Sequence, residues 1–125
     1  MSLVTTESTT KVIGLAIKVH RTLGPGLFES IYQPCVAHEM RKAGMRFEQQ
    51  KPIPVEYDGL RFDRAFRADL IVEDDLIVEI KSIEKLAPLH DTQLLTYLKL
   101  TGLRKGLIIN FNVTLLKDGL RSIVR

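Results

Sequence analysis

At Phe47 the apolar pattern of this chain changes period, and that change limits the folds open to it. Before it, Val12, Ile13, Ala16, Ile17 and His20 recur three and four apart, which predicts an amphipathic helix over Thr10 to Leu23 capped by Thr9 or Thr10. Gly24-Pro25-Gly26 ends it, and a second helix is expected from Leu27 to Ala43, with Ile31, Val36, Ala37 and Met40 inward and Gly44 as its stop. Pro34 falls inside this span; it removes one backbone donor and crowds the preceding turn, so a kink or a restart is expected there. After Phe47 the pattern is that of strands: Phe47 to Tyr57, a turn at Asp58-Gly59, Leu60 to Val72, a turn at Glu73-Asp74-Asp75, and Leu76 to Ser82. Pro88 opens a third helix, from Leu89 to Leu100, which Gly102 closes; Lys105 to Asn110 is a buried apolar strand, and a short strand near Leu120 to Val124 follows. The expected class is α/β, more specifically an α+β mixed sheet: helix, helix, a three-strand meander, helix, strand, with the helices packed on a small mixed sheet.

The 125 residues suffice for one domain with a real core, with no repeat or linker to divide it. Residues 1–9 are expected to be disordered or left over from expression, and residues 10–125 to form the domain. The start of the chain lacks the basic and apolar regions of a signal peptide, and no stretch approaches the roughly 18 apolar residues of a membrane span. The single cysteine, Cys35, cannot form an intrachain bridge. A small core residue in a reducing cytoplasm is the expectation. The net charge of +3 is too weak to argue for nucleic acid by itself. Six basic residues (Lys99, Arg104, Lys105, Lys117, Arg121, Arg125) stand against Asp118 alone from position 99 onward; they suit either a phosphate backbone or an ordinary solvated surface.

Three charges interrupt strands that otherwise have a buried character. Asp69 stands among Ala68, Leu70, Ile71 and Val72, and Glu79 and Lys81 among Leu76, Ile77, Val78 and Ile80. Buried charges need partners or a task. Strand side chains alternate faces, so Glu79 and Lys81 share one face while Val78 and Ile80 turn to the core. If the turn has three residues, Val72 pairs with Leu76 and Asp69 falls opposite Glu79, with Cβ atoms roughly 4.5–5.5 Å apart. Two carboxylates that close call for a shared proton or a divalent cation, and a hard cation beside Lys81 is the better expectation. Burial would lower the Lys81 pKa and the acids would raise it, and the sequence does not decide between them.

Other polar residues have plainer readings. Glu29 and Tyr32 share a helix face, and Glu29 alone fits an acid in a first helical turn. His90, Gln93, Leu94 and Tyr97 share a face of the third helix, and Tyr97 alone fits a core tyrosine with a bonded hydroxyl. His20 and His90 are too isolated for a zinc site.

Together these segments resemble a known family. Gly26-Leu27-Phe28-Glu29-Ser30-Ile31-Tyr32 matches the signature of the GxxExxY proteins, and the resemblance runs from about Val12 to Val124, including His20-Arg21-Thr22-Leu23-Gly24-Pro25-Gly26 and Gln93-Leu94-Leu95-Thr96-Tyr97. That family is placed in the PD-(D/E)xK superfamily, so the resemblance implies a restriction-endonuclease-like core and a single nuclease domain. It implies Asp69 and Glu79 as Mg²⁺ ligands, Lys81 as the lysine assisting the attacking water, and Glu29 as an auxiliary acid. Gln93 and Tyr97 resemble a QxxxY motif of an exonuclease branch. Ala68 stands where the superfamily's name has proline.

The functional expectation is a phosphodiesterase dependent on Mg²⁺, with Mn²⁺ as a substitute, that cuts DNA or RNA. Asp69, Glu79, the Ile80 carbonyl and Glu29 are the expected metal ligands, with Asp69, Glu79 and Lys81 catalytic. Gln93, Tyr97, Tyr32 and His90 are expected to position nucleic acid. No membrane partner is expected, and a homodimer is an option, because so small a domain has little surface for gripping a duplex. The alternative is a nucleic-acid-binding or assembly module that keeps the fold without turnover.

Overall fold

The structure, a computed structural model, describes residues 7–125. Helix α1 spans Glu7–Leu23 and α2 Glu29–Lys42; strands β1 (Phe47–Tyr57), β2 (Leu60–Val72) and β3 (Leu76–Lys81) follow, then α3 (Pro88–Thr101), β4 (Lys105–Asn110), a 3-10 turn at Leu116–Gly119, and β5 (Leu120–Val124). These elements form a five-stranded mixed sheet in the order β1-β2-β3-β4-β5, consistent with a restriction-endonuclease-like fold. The β3–β4 pair is parallel and the other neighbours are antiparallel. The crossover through α3 supplies the parallel pair, as a connection too long for a hairpin allows.

Several boundaries differ from the sequence expectation. The expected disordered or appended leader lies outside the described residues over 1–6, but Glu7, Ser8 and Thr9 are helical and Thr9 is buried. Helix α2 is continuous through Pro34, whose ring faces outward, so there is no restart. Ile31 is 45% exposed rather than inward; the buried face of α2 is Tyr32, Gln33, Val36, Ala37, Glu39 and Met40. The reason is rotational: Tyr32 is the larger group, and seating it turns Ile31 toward solvent.

The sheet is covered on both faces. On one, Val12, Ala16, Val36 and Met40 of α1 and α2 pack on Leu70, Val72, Val78, Ile80, Leu107 and Ile109. On the other, Leu94 and Leu98 of α3 pack on Ile71, Ile77, Ile108 and Ile53. Each buried aliphatic side chain contributes about 1.5–3 kcal/mol. Close approach of α3 depends on Gly106, where an added Cβ would meet the Leu94 side chain at 2.7 Å. Gly102, in the left-handed region at φ 76°, then ends α3 and returns the chain to β4. Glu79 and Lys81 point to the same face as Ile77. The α3 layer therefore turns what would be a solvated strand face into an enclosed one.

The basic C-terminal quarter does not form one open stripe. Lys105 Nζ is 2.8 Å from Asp75, and Arg121 is 2.6 Å from Asp91.

Candidate active site

The turn between β2 and β3 has three residues, with Glu73 and Asp74 at positive φ, and Val72 pairs with Leu76. The ladder runs to Leu70 and Val78. One step further the register sets Asp69 opposite Glu79, and there the side chain takes over from the backbone: the Ile80 N–H donates to Asp69 Oδ2 at 2.8 Å. That bond fixes one carboxylate oxygen and ties the Asp69 carboxylate to the strand that carries Glu79 and Lys81.

Glu79 is 8% exposed, and its Oε1 is buried without a hydrogen-bond partner. Burial first, then the Asp69 charge and a hydrogen bond with the Asp69 side chain, push the Glu79 carboxyl up to about 8; Lys81 and the Asp69 backbone pull more weakly the other way. An orphaned buried carboxyl oxygen is costly, on the order of 1–3 kcal/mol or more for a charged group. The site accepts that cost at a single point, beside a second acid and a lysine.

Helix α3 forms the other wall. Glu79, Lys81, His90, Gln93, Leu94, Tyr97 and Ile108 line a narrow cleft of about 10 Å³, the space of a single water or small ion. Tyr97 stacks on Phe66 of β2 with centroids 3.9 Å apart. Burial and the charges of Glu79 and Asp69 raise its pKa, so it presents a neutral hydroxyl. His90 Nδ1 accepts the Ala87 N–H at 2.8 Å, which closes the first turn of α3 and orients the ring in the cleft wall.

Two residues named by the sequence pattern lie elsewhere. Tyr32 is fully buried: its ring stacks on Phe111 at 4.3 Å, and its hydroxyl donates to Gly24 O at 2.6 Å and accepts from Leu27 N–H at 3.1 Å. It ties down the loop before α2 and has no free edge for nucleic acid, which corrects the expectation for it. Glu29 is exposed, and its Oε1 accepts the Ser82 N–H at 3.2 Å, while Ser82 Oγ donates to Leu27 O at 2.5 Å. Among the described residues no three histidine, cysteine, aspartate or glutamate side chains gather closely enough to share a metal. Glu29 braces the end of β3 through its bond to the Ser82 N–H.

Two glutamines that the sequence pattern did not single out touch Asp69. Gln33 Nε2 donates to the Asp69 carbonyl at 3.4 Å, and Gln50 Nε2 donates to Gln33 Oε1 at 2.8 Å and reaches Asp69 Oδ1 at 3.5 Å. Gln50 sits at positive φ where β1 passes Asp69. A signal existed for Gln33: it lies four residues after Glu29, on the same helix face.

The donor set fits a hard divalent ion. Two carboxylates converge, one held by a backbone amide and the other with an unpartnered buried oxygen, and hard cations of this size are commonly held by one or two carboxylates plus substrate phosphate. The model of the PD-(D/E)XK nuclease superfamily matches residues 6–123, and the chain belongs to that superfamily. Its members are nucleases that generally use divalent metals and act on nucleic acid. No curated protein and no solved structure matches the chain. Among the described residues, no helix is long and apolar enough to cross a membrane.

Proposed function

We propose that this chain is a cytoplasmic, GxxExxY-type nuclease that hydrolyses nucleic-acid phosphodiester bonds with Mg²⁺ or, in its place, Mn²⁺. The observation that carries the reading is the Glu79 carboxyl, buried with an unpartnered oxygen against Asp69 and with Lys81 two residues on. One oxygen of this carboxyl meets no protein partner, and a cation is the partner that would relieve both acids at once. Cytoplasmic placement rests on the free Cys35.

Asp69 and Glu79 would hold the ion, with the Ile80 carbonyl as a further oxygen donor. When bound, a divalent ion acidifies a water and offsets charge on the scissile phosphate. The remaining work belongs to the chain itself. Ile80 N–H keeps the Asp69 carboxylate turned toward β3, so the two acids stay together before substrate arrives. Glu79 gives up its proton to solvent when the site fills, because its carboxyl is neutral below about pH 8 while the site is empty. Lys81 brings positive charge to the nonbridging phosphate oxygens and orients the attacking water. Gln93 and the neutral Tyr97 hydroxyl supply hydrogen bonds to the strand at the cleft wall. Stacking on Phe66 holds the Tyr97 ring in place.

Incubation of the purified chain with single- and double-stranded DNA and RNA tests this. Cleavage is expected with Mg²⁺ or Mn²⁺, with a loss of roughly two to four orders of magnitude in Asp69→Ala and in Lys81→Ala while circular dichroism stays native. Wild-type protein that cuts none of the four with either metal would remove the proposal, and tight salt-sensitive binding without cleavage would leave the non-catalytic binding module in its place.

A further inference from the structure

A second feature stands at the same end of the sheet as the cleft. Ile17, His20, Arg21, Gly24, Pro25 and Lys117 are among the residues enclosing a cavity of about 550 Å³ between the end of α1 and the segment before β5. No acid lines it. Arg21 and Lys117 are exposed, and among the described residues neither makes an ion pair or hydrogen bond, whereas Lys105 and Arg121 are both committed to aspartates. His20 has a structural part: it is 6% exposed and its Nε2–H donates to Val113 O at 2.8 Å, which joins the two walls. The cavity is therefore held open by a buried hydrogen bond and rimmed by two unneutralised cations.

Its connection to the cleft runs through one short segment. Gly24 and Pro25 line the cavity, and Leu27 and Glu29 are both bonded to Ser82, the residue after Lys81. Between those two anchors stands Phe28, 81% exposed. The chain from Pro25 to Leu27 spans at most about 7 Å, so cavity and cleft are neighbours along this segment. Unpaired cations that follow a backbone, with an open aromatic between them and a catalytic centre, are the elements by which proteins grip single strands.

Resting on the nuclease reading, we infer that an unpaired nucleic-acid strand leaves the cleft across Phe28, stacks a base on its ring, and lays its backbone phosphates between Arg21 and Lys117. The substrate class is thereby narrowed to single-stranded nucleic acid, or a duplex end opened before it reaches the cleft. A paired duplex keeps its bases stacked on one another and offers none to Phe28. Charge favours this occupant over a second copy of the chain, since two copies would bring four like charges together at this rim.

The test is equilibrium binding of a short fluorescent oligonucleotide, single-stranded or duplex, in EDTA so that nothing is cut, across a salt series. Arg21→Ala/Lys117→Ala is expected to make the slope of log affinity against log salt shallower by roughly 1.4 for the single strand, two contacts at about 0.7 each. Phe28→Ala is expected to weaken single-strand binding by about 5- to 100-fold and to leave duplex binding unchanged. Turnover of bis(p-nitrophenyl) phosphate with Mn²⁺, a substrate too short to span cleft and cavity, is expected to be the same in wild type and both variants. Equal losses on this small diester and on an oligonucleotide overturn the inference, because they place the defect in the cleft. If wild type binds and cuts single strands but the variants keep its slope and affinity, the inference falls and the nuclease reading stands; if wild type neither binds nor cuts, both fall. A dimer broken by Phe28→Ala, with strand affinity intact, also overturns it by assigning this face to a protein partner.

Discussion

Two carboxyls, one in the turn just before β3 and one near its far end, are handled in opposite ways. In the turn Asp75 meets Lys105 at 2.8 Å and accepts from Ser8 Oγ at 3.0 Å, and these partners hold its carboxyl below the ordinary aspartate value. Near the far end of β3 Glu79 meets Asp69, a second acid, and is driven up to about 8 with one oxygen unpartnered. Four positions separate a paired carboxylate in the turn from a carboxyl with an unpartnered oxygen in the strand that the turn leads into. The contrast shows that the chain can neutralise a carboxylate where stability requires it. At Asp69 and Glu79 it instead sets two carboxyls against each other, one of them with a buried oxygen that meets no protein partner.

The larger effect expected from this contrast is at Glu79. A group whose folded pKa is raised stabilises fully below its unfolded value and loses that contribution as pH rises through the folded one. Without metal the protein should therefore lose stability from near pH 4.5 to above pH 8. Glu79→Gln, neutral at every pH, should remove that loss, so that by urea denaturation in EDTA the variant exceeds wild type at pH 9 by roughly 2–5 kcal/mol and matches it closely at pH 5. Parallel stability profiles for the two proteins would erase the difference between the two carboxyls. At the turn the sign reverses. Asp75 has a depressed pKa, so its contribution is present above its unfolded value, near 3.8, and is lost as pH falls. Because the pair is partly exposed, Lys105→Ala should cost only about 0.5–1 kcal/mol at pH 7 and almost nothing at pH 2. A cost as large as that of an orphaned buried charge would mean that the two carboxyls do not differ in kind.

How much of this was legible in the sequence follows from which interactions are local. Helix and strand periods, the three-residue turn and the pairing of Val72 with Leu76 are short-range, and counting outward from Glu73-Asp74-Asp75 sets Asp69 level with Glu79. The burial of Glu79 is not local. It depends on α3 crossing behind the sheet, with Leu94 seated on Gly106, a contact between positions that no periodicity links. Helical spacing grouped Glu29 with Tyr32 but not their fates: Tyr32 was drawn inward by Phe111, and Glu29 was taken by the Ser82 amide. Gln33 and Gln50 escaped notice because their link to Asp69 joins α2, β1 and β2, three elements distant in the chain. The outward turn of Ile31 likewise reflects the packing of Tyr32 and not a feature of the helix itself.

Isothermal titration of Mn²⁺ and Mg²⁺ into the metal-free protein, in buffers of different ionisation enthalpy, tests the central claim most directly. The account predicts saturable binding by wild type, proton release at pH 7 as the Glu79 carboxyl ionises, and no measurable binding by Glu79→Ala. Wild-type protein that takes up neither ion, or a variant that binds as wild type does, would contradict it.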